Sequence, residues 1–152
     1  MMNVMRHVVL CLAVCATSGA GRAALADADL AGQIQVQVAG LRNDKGALRC
    51  SLYRSADGYP TNPGTALLRT RAAISGGAAS CRFDGVPIGA YAVAFFHDEN
   101  DNGKLDLNLF GIPKEGTGAS NDARGHMGPP KWQDARFEFK GGVEALRLSV
   151  HY

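Results

Sequence analysis

The sequence predicts an all-β chain: a seven-stranded, antiparallel two-sheet sandwich with one long loop between the fifth and sixth strands. Three observations carry this. Apolar residues recur with a period of two, turn signals separate short runs at close spacing, and no stretch shows a convincing amphipathic-helix period. The same strands closed into a barrel are the competing architecture. With 152 residues, 46% hydrophobic and 20% charged, the chain is sized for one domain around one core. Its glycines and prolines are aperiodic, which excludes collagen-like and low-complexity chains.

The elements follow in order. Gln33 to Val38 alternates strictly, with Ile34, Val36 and Val38 on the core face and three glutamines outward. Asn43-Asp44-Lys45-Gly46 is a turn, after which Leu48, Cys50 and Leu52 resume the alternation. Asp57 to Gly64, with two prolines, is a loop that cannot be helical. Leu67 to Ile74 forms the third run, and Cys81 and Phe83 mark a short fourth. Tyr91 to Phe96 is apolar on both faces and reads as a central strand. Phe137 and Phe139 mark a sixth, and Leu146, Leu148, Val150 and Tyr152 close with a seventh.

The N-terminus reads as an address. Arg6 and His7 precede an apolar stretch from Val8 to Ala16, and Ala24-Leu25-Ala26 supplies the small-x-small pattern of a signal-peptidase site. Residues 1–26 are therefore expected to be a signal peptide, and 27–152 one exported domain, periplasmic or secreted. A retained membrane anchor and a lipoprotein built on Cys15 are the alternatives. Removal takes Arg6 and Arg22 from the 16 basic residues and none of the 14 acids, so the remainder carries 14 of each and no net charge. No nucleic-acid footprint survives. Cys11 and Cys15 leave as well, so Cys50 and Cys81 remain, each in a strand-like run. An inter-strand disulfide is expected, with two free buried thiols as the alternative. The pair lacks the spacing of a redox or zinc motif.

One segment breaks the rhythm. Structureless loops longer than about 12–15 residues are uncommon in compact domains and usually functional or disordered. The segment 97–130 exceeds that length, and any site is expected there. Its first third places Asp98, Asn100 and Asn102 at alternate positions, followed by Gly103 and by Asp106. This is the front of a calcium loop, in which alternate oxygens surround a hard cation, the glycine permits the reversal and Lys104 lends a backbone carbonyl. The bidentate glutamate of an EF-hand is missing, since Leu109 stands there. Asn108, Glu115 or water would have to substitute, so calcium binding is expected to be weak, on the order of 0.1–1 mM. The competing reading is a solvated, Asx-rich turn.

The rest of the segment offers His97, Lys114, Glu115, Ser120, Asn121, Arg124, His126 and Trp132 as a binding face, with the basic residues suited to an anion or acidic sugar. A plainer reading folds the loop over a sheet edge on Phe110, Ile112 and Trp132 as apolar anchors. His97, His126 and Met127 are soft-metal donor types without recognisable ligand spacing. Ser120, Asp122 and His126 have the residue types of a triad, but no nucleophile elbow accompanies them.

These motifs carry a resemblance. His97 to Asp106 (H-D-x-N-x-N-G-K-x-D), Gly111 to Gly116 (G-I-P-K-E-G), Ser120 to Gly125 (S-N-x-A-R-G) and Gly128 to Pro130 resemble an uncharacterised bacterial domain-of-unknown-function family of small exported proteins. The likeness extends over roughly residues 31 to 152. It implies a prealbumin-like or immunoglobulin-like sandwich in the periplasm or outside the cell, and brings no established activity, substrate or cofactor. Phe83 to Val93 is also similar to the F-x-x-V-P-x-G-x-Y-x-V segment of transthyretin-like and carboxypeptidase-regulatory-like sandwiches, which bears on fold rather than function.

The functional expectation is thus an exported, non-catalytic binding module of the cell envelope that uses the 97–130 loop, with weak calcium ordering it. Envelope polysaccharide, an envelope protein or a small anionic ligand are the partners considered. The alternative is a glycan- or lipid-directed envelope enzyme with Asp98, Glu99, Asp101, Asp106 or Glu115 as acid and base. A structural spacer is the third class.

Overall fold

A computed structural model describes residues 31–152. The expected signal segment, its anchor and lipoprotein alternatives, and Cys11 and Cys15 lie outside the described residues. Eight strands follow: β1 (Gly32–Ala39), β2 (Ala47–Tyr53), β3 (Leu68–Ala72), β4 (Ala78–Val86), β5 (Gly89–Asp98), β6 (Thr117–Ala119), β7 (Phe137–Phe139) and β8 (Val143–Ser149). They form two open sheets, ordered β4-β1-β8 and β3-β2-β5-β6, with β7 paired to the start of β5. The all-β, two-sheet expectation holds, and the sheets do not close into a barrel.

The core lies between the sheets. From β1 it takes Ile34, Val36 and Val38, each at most 1% exposed, as the alternation requires. Leu48, Cys50 and Leu52 of β2, Phe83 of β4 and Tyr91, Val93 and Phe95 of β5 meet them. β5 runs between β2 and β6, which explains why it is apolar on both faces. Cys50 on β2 and Cys81 on β4 are bonded, so the disulfide ties one sheet to the other through the core. Their separation of 31 residues corresponds to a stabilisation of about 3.5 kcal/mol in the chain-entropy model.

Three features differ from the expectation. The strands number eight because Thr117–Ala119, inside the long segment, pairs with Ala94–Phe96 of β5; three residues are too few to show a period. The sandwich is not wholly antiparallel, since β8 runs parallel to β1 with Val36 opposite Leu146 and Val38 opposite Leu148. Alternation specifies which face a residue occupies and is blind to strand direction. Finally, a single helical turn, α1 (Trp132–Ala135), and two 3-10 turns (Pro63–Thr65 and Ser120–Asp122) interrupt the β structure.

Candidate functional site

The segment that leaves β5 is organised by carboxylates turned inward. Asp98, the last residue of β5, is fully buried. One of its oxygens accepts the Asn102 N–H (3.0 Å), and the other accepts the Gly103 N–H (2.8 Å) and the Arg49 Nε–H. The acid thus closes the Asx turn from below, and Gly103, at φ +80°, makes the reversal that a side chain would strain.

Arg49 and Arg71 stand directly opposite each other on β2 and β3, a like-charge pair that would repel if left alone. Asp101 bridges them. It accepts from Arg49 Nη2 (3.0 Å) and from Arg71 Nε and Nη2 (3.2 and 2.8 Å). The Arg71 guanidinium, with Arg49 behind it, holds the Asp101 carboxyl below its usual range.

A second buried acid, Glu115, spans the segment. Its two oxygens accept the Glu99 N–H (2.9 Å) and the Asp106 N–H (3.0 Å), joining the two sides of the loop. Burial pushes the Glu99 carboxyl up, but hydrogen bonds from Asn43 and Arg42 outweigh it and hold the group below the ordinary value. The side-chain amides of Asn100 and Asn102 donate to Asp106 (2.7 and 3.1 Å), and the Asn102 side-chain oxygen accepts the Lys104 N–H.

His97 is buried beneath this network. Its Nε2 lies 2.9 Å from the Lys45 carbonyl, which can only accept, so that nitrogen carries a proton. Its Nδ1 lies 2.8 Å from the Tyr152 hydroxyl, which also accepts the Arg42 N–H. The C-terminal tyrosine therefore anchors the loop's root.

The five residues read as calcium ligands are thus neighbours, but Asp98 and Asp106 already accept hydrogen bonds from the protein, and Lys104 is exposed. Among the described residues no three His, Cys, Asp or Glu side chains group so as to hold a metal. Both ring nitrogens of His97 are engaged, which sets it apart from His126 and Met127, exposed in another part of the segment.

Ser120, Asn121 and Asp122 serve the fold. The Ser120 hydroxyl accepts the Val93 N–H (2.9 Å) and donates to the Ala135 carbonyl (2.6 Å), while Asn121 donates to the carbonyls of Asp134 and Arg136. They latch α1 onto β5. Asp122 accepts the Ser149 N–H of β8. No hydrogen bond joins Ser120, Asp122 and His126, so the imagined triad does not form among these described residues.

Trp132 is half-buried, edge-on to Tyr59 at 5.8 Å, and anchors the segment as expected. Phe110 and Ile112 do not: they are 87% and 58% exposed. They sit at the tip of a tight hairpin that carries them away from the sheets. Arg124 and His126, with Lys131 and Asp134, line an open depression of about 390 Å³. Lys114 is exposed beside the hairpin. Sequence reasoning missed Arg49 and Arg71, whose role depends on strand register, and Arg42 and Asn43, whose role depends on how the β1–β2 connection meets the segment; neither leaves a local signal.

No helix among the described residues is long and apolar enough to cross a membrane. No curated protein and no solved structure matches the chain. The family model described as "Uncharacterized protein conserved in bacteria (DUF2141)" matches residues 36–147, from within β1 to within β8 and across the whole carboxylate-bound segment, and the chain belongs to that family.

Proposed function

We propose that the protein is an exported, non-catalytic binding module of the cell envelope, and that the 97–130 segment is its contact surface. One observation carries this reading. The first half of the segment is held in shape by the buried Asp98 and Glu115 and the second is fastened by Ser120 and Asn121, and the segment presents to solvent Leu109, Phe110, Lys114, Arg124 and His126, which contribute nothing to the core. A preorganised, exposed surface suits binding, because little ordering is left to be done on contact. The carboxylates that an enzyme would use as acid and base are engaged with arginines, asparagine amides and backbone N–H groups, and Glu99 and Asp101 are held below the ordinary carboxylate range, away from a general acid.

Calcium belongs to this reading as a weak ligand, on the order of millimolar, because the ion would compete with the hydrogen bonds already made to Asp98 and Asp106. The prealbumin-like character of the sandwich is likewise part of the proposal. It is supported by Tyr91, which enters the core after the Pro87-Ile88-Gly89 turn with its hydroxyl on the Pro87 carbonyl.

The test is fractionation of cells producing the full chain, followed by washing of the envelope fraction. The protein is expected in the envelope, and Arg124→Glu with His126→Ala is expected to release it while Gln37→Glu, on β1, does not. Calcium at 5 mM should raise retention slightly and magnesium should not. Recovery of the chain in the cytoplasm, or equal retention of all variants, would overturn the reading.

A further inference from the structure

The hairpin tip carries a more specific message. Residues 106–114 fold back on themselves, with the Lys114 N–H on the Asp106 carbonyl (2.9 Å), Leu107 bridged to Pro113 and the Asn108 N–H on the Ile112 carbonyl (2.8 Å). Leu107, Leu109, Phe110 and Ile112 are 50%, 101%, 87% and 58% exposed. Single exposed apolar residues are ordinary, whereas four within one turn mark an interaction surface.

Three N–H groups of the turn are also paired internally. The Asn108 side-chain oxygen accepts the N–H groups of both Phe110 (2.9 Å) and Ile112 (3.0 Å), and the Asn108 carbonyl accepts that of Gly111 (3.0 Å). In water these donors need no such partner. Among acyl chains they do, because an unsatisfied backbone group there costs several kcal/mol.

Two exposed lysines flank the tip, Lys104 and Lys114, and neither has an acidic partner among the described residues. Asp106, the acid nearest the hairpin's foot, is turned back onto Asn100 and Asn102. The hairpin therefore presents an apolar end with a basic collar.

We infer that this hairpin inserts its tip into the interface of an anionic lipid surface, with Leu109, Phe110 and Ile112 among the acyl chains and Lys104 and Lys114 at the headgroups. The inference rests on the envelope location proposed above and names the lipid as one partner there. An apolar groove on a protein would also accept such a tip, but it would not require the basic collar.

The test uses the full chain carrying Phe110→Trp and vesicles of equal parts phosphatidylglycerol and phosphatidylcholine with brominated acyl chains. The native chain has one tryptophan, Trp132, which serves as the background. The tip tryptophan is expected to shift to the blue and be quenched by bromine. Adding Leu109→Ser and Ile112→Ser should weaken binding more than tenfold, from the apolar area withheld. Each of Lys104→Gln and Lys114→Gln should weaken it about fivefold. All of these side chains are exposed, and near-ultraviolet circular dichroism checks the fold.

If the chain sediments with vesicles while the tip tryptophan stays unquenched, another segment binds lipid and the inference fails. Equal quenching on purely zwitterionic vesicles would overturn the anionic assignment. Failure here with envelope retention intact leaves the binding module with a different partner. Success here, with the chain absent from the envelope of cells, would overturn the module reading instead.

Discussion

Asp98→Asn is the perturbation that most directly tests how the segment is held. The substitution keeps the size of a side chain that is wholly buried, but it removes the charge and places an amide N–H₂ where an acceptor stood. Asp98 receives three hydrogen bonds, two from backbone N–H groups and one from Arg49, whose side chain is 30% exposed. Breaking a buried ion pair from one side typically costs about 3–5 kcal/mol. Arg49 keeps Asp101 as a partner and some contact with water, so the lower part of that range applies, about 3 kcal/mol. For a domain of this size that is a fall in Tm of roughly 10 °C. Urea unfolding followed by Trp132 fluorescence and circular dichroism measures it, and a cycle with Arg49→Gln isolates the pair. The expected coupling is at least ~1.5 kcal/mol. A loss under ~1 kcal/mol with an unchanged m-value, or additive single substitutions, would refute the account of Asp98 as the clamp.

Two further outcomes follow from the same geometry. Asp101 and Glu99 have folded values below their unfolded ones, so their stabilisation is complete above the ordinary carboxylate range near pH 4 and is lost as pH falls through the lowered folded values. Arg71→Gln should flatten the acid limb of a Tm-against-pH profile below about pH 4, and an unchanged limb would show that the arginine pair does not carry it. Ser120→Ala leaves the Val93 N–H and the Ala135 carbonyl without their buried partner, so unfolding free energy should fall by about 2 kcal/mol. Hydrogen exchange should accelerate at Val93 first, and uniform exchange across β5 would argue against a local latch.

Much of the fold is written in alternation. Ile34, Val36, Val38, Leu48, Cys50, Leu52 and Phe83 occupy the core as their period requires, and the double-faced apolar run of Tyr91 to Phe96 lies inside the larger sheet. The cysteine pair was equally legible, because only two cysteines lie in the strands and one bond can join them. The Asx spacing of Asp98, Asn100 and Asn102 marked a tight turn. It could not decide whether oxygens or N–H groups would fill its centre, since the donors come from Arg49 on a distant strand as well as from the loop itself. The sequence offers Glu115 as a stand-in cation ligand and a residue of the binding face, whereas its burial between Glu99 and Asp106 depends on how the two sides of the segment meet.

By itself, then, the sequence determined which faces are apolar, where the chain must turn and which segment is too long to be a mere connection. These are local properties, set by side-chain period and backbone preference. Tertiary structure alone decided that β8 runs parallel to β1, that Arg49 and Arg71 meet across two strands with Asp101 between them, and that Phe110 and Ile112 point to solvent rather than to the core. Each of those depends on pairing between residues far apart in the chain, and such pairing follows from register and direction, to which a period of two is indifferent.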